Sequence, residues 1–158
     1  MYACISKVPE YYQRNKDSGT ALYTDNMIYS PRVPVIRSED GNFLETPYFI
    51  SILTAPAVNR GAIACKEPEN LDRVKRIMDR RIGNVLKVAA NRGHTVLVLG
   101  AWGCGVFDND PEQIARLFRK NLVGSNRIKG RFDRIVFAVL DKSKKKKTLQ
   151  SFERILKK

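Results

Sequence analysis

Three short apolar runs alternate with segments of helical periodicity, and this alternation limits the fold more than any other feature of the chain. The runs are Tyr48–Thr54 (YFISILT), Thr95–Leu99 (TVLVL) and Arg134–Leu140 (RIVFAVL), all rich in β-branched and aromatic residues. Between the first two, Asn70–Arg92 repeats Leu71, Val74, Ile77, Met78, Ile82, Val85, Leu86 and Ala89 at three- and four-residue steps, which predicts one long amphipathic helix closed by Gly93. Between the second and third, Asp110–Val123 reads as a helix. Asp110 is its N-cap, Pro111 takes the first helical position, Gln113 completes a capping box and Gly124 stops it. After the third run, Thr148–Leu156 places Leu149, Phe152, Ile155 and Leu156 on one helical face. The β-α-β-α-β-α order predicts an α/β fold, with a largely parallel sheet and right-handed crossovers. Near-continuous apolar strands further predict that both faces of the sheet are covered.

The first sixty residues are less regular. A short helix is expected around Ile5–Lys16, with Pro9 in its first turn or interrupting it. Met27–Arg37 carries Pro31 and Pro34, which confine it to an edge strand or an extended loop. Glu39-Asp40-Gly41-Asn42 signals a turn. Internal repeats and Pro-, Gly- or Ser-rich linkers are absent, so the 158 residues are expected to form one domain, 1–158. Every apolar run is far shorter than the ~20 residues that span a bilayer, and the first residues lack an apolar signal core, so no membrane partner is expected. Cys4, Cys65 and Cys104 form no CxxC pair, which argues against a disulfide framework or a zinc site. The expected compartment is the cytoplasm, or the nucleus in a eukaryotic host, with no metal and no cofactor.

Charge is distributed unevenly. The net charge is +13, yet residues 1–70 carry seven basic and eight acidic side chains whereas residues 71–158 carry twenty-two and eight. A basic half suits an anionic partner such as a phosphate-bearing ligand or a nucleic acid, although charged runs most often serve solubility alone. Lys142 and Lys144–Lys147 place five lysines in six positions between a strand and a helix, the ordinary composition of a solvated loop.

In open sheets of this type, ligands bind beyond the carboxyl ends of the strands, here the loops after Leu53, Leu99 and Leu140. The middle loop stands out. Gly100-Ala101-Trp102-Gly103-Cys104-Gly105-Val106-Phe107 sets three glycines within six residues, directly between a buried strand and a capped helix. Glycines let backbone N–H groups converge on an anion, and the helix terminus adds positive potential. The spacing is neither a Walker A loop nor GxGxxG, and no Lys-Ser/Thr follows, which argues against nucleotide hydrolysis. Two readings remain open: a phosphate cradle walled by Trp102 and Phe107, or a tight turn with two aromatics packed into the core.

Other residues have similar alternatives. Cys104 lies near a helix N-terminus that could lower its pKa, but no histidine is placed to activate it. His94, the only histidine, begins the second run at the end away from the ligand side, where packing or surface exposure is expected. Pro56 and Asn59 follow the first run and either touch a ligand or form a turn. Asp141 ends the third run and either binds a base or caps the next helix. Tyr11, Tyr12 and Tyr23 read as packing residues.

The segment GAWGCGVFDNDP, followed by Ile114, Ala115 and Phe118 and then by FDRIVFAVLD, resembles the microbial-type poly(ADP-ribose) glycohydrolase family, a branch of the macrodomain fold. Leu22-Tyr23-Thr24-Asp25, Ile28-Tyr29-Ser30-Pro31, Val33-Pro34-Val35-Ile36-Arg37 and Ile52-Leu53-Thr54-Ala55-Pro56-Ala57-Val58-Asn59 agree with that family in order and spacing, so the likeness runs over residues 1–156. The resemblance implies a three-layer α/β/α macrodomain-like fold. It also implies that Gly103, Cys104, Gly105 and Val106 offer backbone donors to the diphosphate of ADP-ribose, with Phe107 beside the distal ribose. Ala101, Trp102, Pro56, Asn59 and Asp141 would be further contacts.

The family's catalytic glutamate belongs to a Gln-Glu-Glu motif near a PGGG-like loop, in a segment upstream of the stretches matched here. The 158 residues contain neither a GGG nor an adjacent Glu-Glu pair. The resemblance therefore assigns no catalytic residue, although glycosidic cleavage needs a placed carboxyl. The fold is expected to be N-terminally truncated, with an open sheet edge or face suited to a second copy or a partner chain. The expected function is binding of ADP-ribose or poly(ADP-ribose) with weak or no hydrolysis, in one version as a sequestering protein. The alternatives are an active glycohydrolase using another acid or a partner chain, and a basic nucleic-acid-binding module.

Overall fold

A computed structural model describes residues 6–124 and 128–157. The chain divides into two compact units, one holding residues up to Gly19 with Tyr23–Pro56, the other Thr20–Leu22 with Ala57 and all that follows.

In the first unit, helix α1 spans Pro9–Asp17, with Pro9 in the first turn, where a missing N–H costs nothing. Ile5 of the expected helix lies outside the described residues. Strands β1 (Ile28–Arg37) and β2 (Phe43–Thr54) form an antiparallel hairpin around the expected Asp40–Gly41 turn. The register slips between Ser30 and Val33, where Arg32 has φ 50° after Pro31. Of the edge strand and the extended loop that the prolines allow, β1 is the strand, and its register shift falls beside Pro31.

The run Tyr48–Thr54 differs from its expectation as a buried strand. It is the second half of β2, whose hydrogen-bonded partner is β1, and Tyr48, Phe49 and Ile50 are exposed. Arg32 stacks on Phe49 and Arg37 on Phe43, with guanidinium-to-ring distances of 4.7 and 4.0 Å. A continuous apolar run of this length fits a hairpin as well as a sheet centre, and periodicity alone cannot separate the two.

The second unit carries the parallel pair. Helices α2 (Arg60–Lys66) and α3 (Leu71–Asn91) lead to strand β3 (Val96–Leu99). Helix α4 (Pro111–Val123), strand β4 (Arg134–Phe137) and helix α5 (Lys147–Leu156) follow. β3 and β4 pair in parallel from Val96–Arg134 to Leu99–Phe137. The architecture is mixed α/β, but only two of the three expected parallel strands pair here, the first run lying in the antiparallel hairpin instead.

Its core is one cluster. Val74, Ile77, Met78, Ile82 and Leu86 of α3 meet Ile114, Leu117 and Phe118 of α4 and Phe152 and Ile155 of α5. Phe137 of β4 lies between Phe118 and Phe152, with ring centroids 5.2 and 5.7 Å away. Gly83 lets α3 approach α4 closely, since a Cβ there would stand 2.9 Å from Asn121 Oδ1. Gly93, at φ 76°, closes α3 as expected, with the N–H groups of Gly93 and His94 donating to Ala90 and Ala89. The Asp110 side chain accepts from the Glu112 N–H and caps α4.

Two details depart from the sequence pattern. Arg81 is fully buried on the same stripe as Ile77, Met78 and Ile82, and its guanidinium donates to the Leu22 carbonyl at 3.0 Å. The parallel pair is covered on one face only. Leu97, Leu99 and Phe137 pack on the core, while Val96, Val98 and Val136 on the other face are exposed, Val98 to 71%. Among the described residues no helix is long and apolar enough to cross a membrane.

Candidate functional site

The loop from Gly100 to Asp110 connects the carboxyl end of β3 to the first turn of α4. Its shape is fixed from below. Gly103 adopts φ 75°, a conformation that favours glycine. The Gly103 carbonyl accepts from both the backbone N–H and the side-chain Nδ2 of Asn109, at 3.0 and 3.1 Å. Asn109 is buried, and its Nδ2 also donates to the Val58 carbonyl at 2.7 Å. A Cβ at Gly103 would lie 2.5 Å from Asn109 Nδ2 and 2.8 Å from the Ala57 Cβ.

Helix α2 braces the far side of the loop. It is too short for hydrophobic periodicity to reveal, and the sequence pattern missed it. Asn59 starts it as an N-cap, its Oδ1 accepting from the Ala62 N–H at 3.0 Å, while the Asn59 N–H donates to the Ala21 carbonyl. Gly61 N–H then donates to the Phe107 carbonyl at 3.1 Å, and Arg60 pairs with the Asp108 carboxylate at 3.2 Å. Glu67, one residue past α2, accepts from the Ala21 N–H at 2.9 Å and from the Thr20 hydroxyl. Those bonds hold its carboxyl below the ordinary carboxylate range, the Ala21 N–H contributing most.

Between these supports the loop presents its free backbone. Cys104 N–H donates to Ala101 and Asp108 N–H to Gly105, but the N–H groups of Gly103, Gly105 and Val106 donate to no backbone carbonyl among the described residues. Gly105 has open space where a Cβ would stand, and Val106 is 96% exposed. Ala101, Cys104 and Gly105 line a cleft of about 340 Å³ together with Leu140, Asp141, Lys142 and Thr148. The loops after β3 and β4 therefore meet beyond the carboxyl ends of the parallel strands, as the topology predicts.

The remaining candidate residues divide, and only Cys104 and Asp141 of them line this cleft. Trp102 and Phe107 are half-buried against the core cluster, which is the packing alternative for both. At Cys104 the lowered pKa that a helix terminus could give is not found. Burial, with a smaller contribution from the Asp110 charge, pushes its thiol up to about 12, so the helix terminus does not activate it. Asp141 borders the cleft but is engaged as a cap. Its oxygens accept from the N–H groups of Ser143, Thr148 and Leu149 at 3.0, 2.9 and 3.3 Å, and hydrogen bonds, first from the Ser143 side chain, hold it below the usual carboxylate range. Asn59 is committed to α2, and Pro56 belongs to the first unit. His94 follows the turn at Gly93, at the opposite end of β3 from the glycine loop.

Residues 1–38 match the family model "Microbial-type PARG, catalytic domain", PARG being poly(ADP-ribose) glycohydrolase. The poly(ADP-ribose) glycohydrolase of Deinococcus radiodurans, solved in complex with ADP-ribose, is 47% identical with a TM-score of 0.89, over 94% of this chain and 59% of its own. Its apo form gives 48% and 0.86, over 92% and 59%. The enzyme of Thermomonospora curvata is 41% identical with a TM-score of 0.90, over 98% of this chain and 56% of its own. The chain thus spans less than two thirds of the length of these relatives. No curated protein matches the sequence.

Proposed function

We propose that this chain, which is similar to the microbial-type poly(ADP-ribose) glycohydrolases, binds ADP-ribose through the glycine loop. One observation carries the reading. Among the described residues the amides of Gly105 and Val106 have no backbone acceptor, and Gly105 lines a cleft beyond β3 and β4. Backbone N–H groups at a strand-to-helix junction suit a diphosphate, since they supply donors without the desolvation cost of burying a charged side chain. Gly103 shapes the turn, and Gly105 leaves space for the ligand. A relative solved with ADP-ribose supports the choice of ligand.

Binding in these residues is proposed to occur without efficient hydrolysis, so that the protein sequesters its ligand. A general acid for glycosidic cleavage needs a free carboxyl whose pKa is raised toward neutrality. The carboxylates nearest the loop are engaged otherwise: Asp108 with Arg60, Asp110 as the cap of α4, Asp141 as the cap of α5. Asp141 is moreover shifted in the wrong direction for an acid.

The test is a calorimetric titration with ADP-ribose, with AMP as control, on the wild type and on Gly105→Glu. The open space at Gly105 accepts the new side chain without strain, so the variant should fold and lose binding. One-to-one binding of ADP-ribose but not AMP, abolished by the substitution, is the expected result. Absence of ADP-ribose binding by folded wild type refutes the cradle. Release of free ADP-ribose from incubated polymer refutes sequestration.

A further inference from the structure

We infer that Lys142, Lys144, Lys145 and Lys147 form a second anionic subsite continuous with the glycine-loop cleft, and that it engages the phosphates of neighbouring units when the ligand is a polymer. This rests on the reading of the cleft as an ADP-ribose site. Lys142 lines the cleft directly, opposite Cys104 and Gly105. Lys144–Lys147 continue from it into the first residue of α5, and all five lysines of the run are exposed. Among the described residues none of them holds an ion pair. Asp141, the nearest acid in sequence, directs its oxygens to three backbone N–H groups. Those bonds also satisfy the start of α5, so the helix terminus is not the anion site, and the uncompensated charge belongs to the lysines.

The number of charges argues for a polymer. A single ADP-ribose brings one diphosphate, and the glycine loop already offers it donors. Five unpaired lysines beside that site exceed what one diphosphate can use. A chain with two phosphates in every unit would place its next phosphates along the rim. Such contacts release counterions, so they should appear as salt dependence and as a preference for longer ligands.

The test compares wild type with a variant carrying Lys144→Gln, Lys145→Gln and Lys147→Gln, Lys142 being kept because it lines the cleft. Lys146 is kept because its backbone is left-handed, at φ 43°. Both proteins are titrated with monomeric ADP-ribose, with poly(ADP-ribose) of defined length and with single-stranded RNA of matched charge, over 50–200 mM salt. The expected result is unchanged monomer affinity and a salt slope for polymer shallower by about 2, three contacts at roughly −0.7 each, which is about 16-fold less salt sensitivity across that range. Equal loss for monomer and polymer, or no loss for either, overturns the subsite. RNA binding as tight as polymer binding, removed by the same variant, also overturns it, in favour of a general polyanion surface. If wild type binds polymer but no monomer, the cleft reading has failed and the subsite fails with it. A failure of the subsite alone leaves monomer binding intact.

Discussion

Gly103→Ala should destabilise the protein by a few kcal/mol while touching no residue that lines the cleft. The backbone at Gly103 is left-handed, which costs a residue with a Cβ roughly 1–2 kcal/mol. The new methyl would also stand 2.5 Å from Asn109 Nδ2 and 2.8 Å from the Ala57 Cβ, so Asn109 must move. Moving it breaks the buried bond from Asn109 to the Val58 carbonyl, and an unsatisfied buried group costs about 1–3 kcal/mol. A mid-range total of about 3.5 kcal/mol corresponds to a fall in Tm of about 10 °C for a chain of this size. Thermal and urea unfolding of Gly103→Ala, Gly105→Ala and wild type measure this directly. Gly105→Ala is the control, since Gly105 has nothing within 4 Å of a Cβ. A double variant adding Asn109→Ala tests the cause. Removing the obstructing side chain should make the pair cost less than the sum of the singles. Stability of Gly103→Ala within about 0.5 kcal/mol of wild type would refute the argument.

Two further outcomes follow from titrating groups. Iodoacetamide at pH 8, read by peptide mass mapping, should label exposed Cys65 and leave Cys104 unmodified, because a thiol pushed up to about 12 holds almost no thiolate there. Comparable labelling of Cys104 would mean that the loop opens readily. The carboxyl of Asp141 sits below its ordinary value in the fold, so its contribution is present above the ordinary carboxylate pKa and is lost as pH falls through the lowered folded value. Melting curves from pH 6 to pH 3 should therefore fall less steeply for Asp141→Asn than for wild type, and identical slopes would remove Asp141 from the account.

Much of the second unit was legible in the sequence because its signals are local. Asp110 and Pro111 start α4, Gly93 ends α3, and the strand runs at 95–99 and 134–140 bracket the glycine loop. What escaped was set by tertiary partners. Tyr48–Thr54 has the composition of a buried strand, but composition records the apolarity of a strand's faces and not what covers them, and the run pairs in a hairpin. Helix α2 has only seven residues, too few for a hydrophobic stripe. Its one local signal was Asn59, weighed instead as a ligand contact or a turn. Arg81 is not among the stripe residues that the apolar pattern picks out. Its spacing of four from Ile77 and three from Met78 placed it on the buried stripe, where the carbonyl of Leu22 satisfies it.

The glycine motif shows why a motif and a site are not the same object. Its residues look equivalent in sequence, yet the fold assigns them opposite roles. Gly103 is fixed by Asn109 and Ala57, so its lack of a side chain serves the fold. Gly105 meets nothing, so the fold itself does not require the absence of a side chain there. The acidic residues divide in the same manner. Asp108, Asp110 and Asp141 all flank the loop, and each is consumed in holding α2, α4 or α5 in place. The consequence is a rim of unused donors supported by carboxylates that are already spent. If the rim binds phosphates as proposed, an acid that cleaves the glycosidic bond is to be sought outside these three loops.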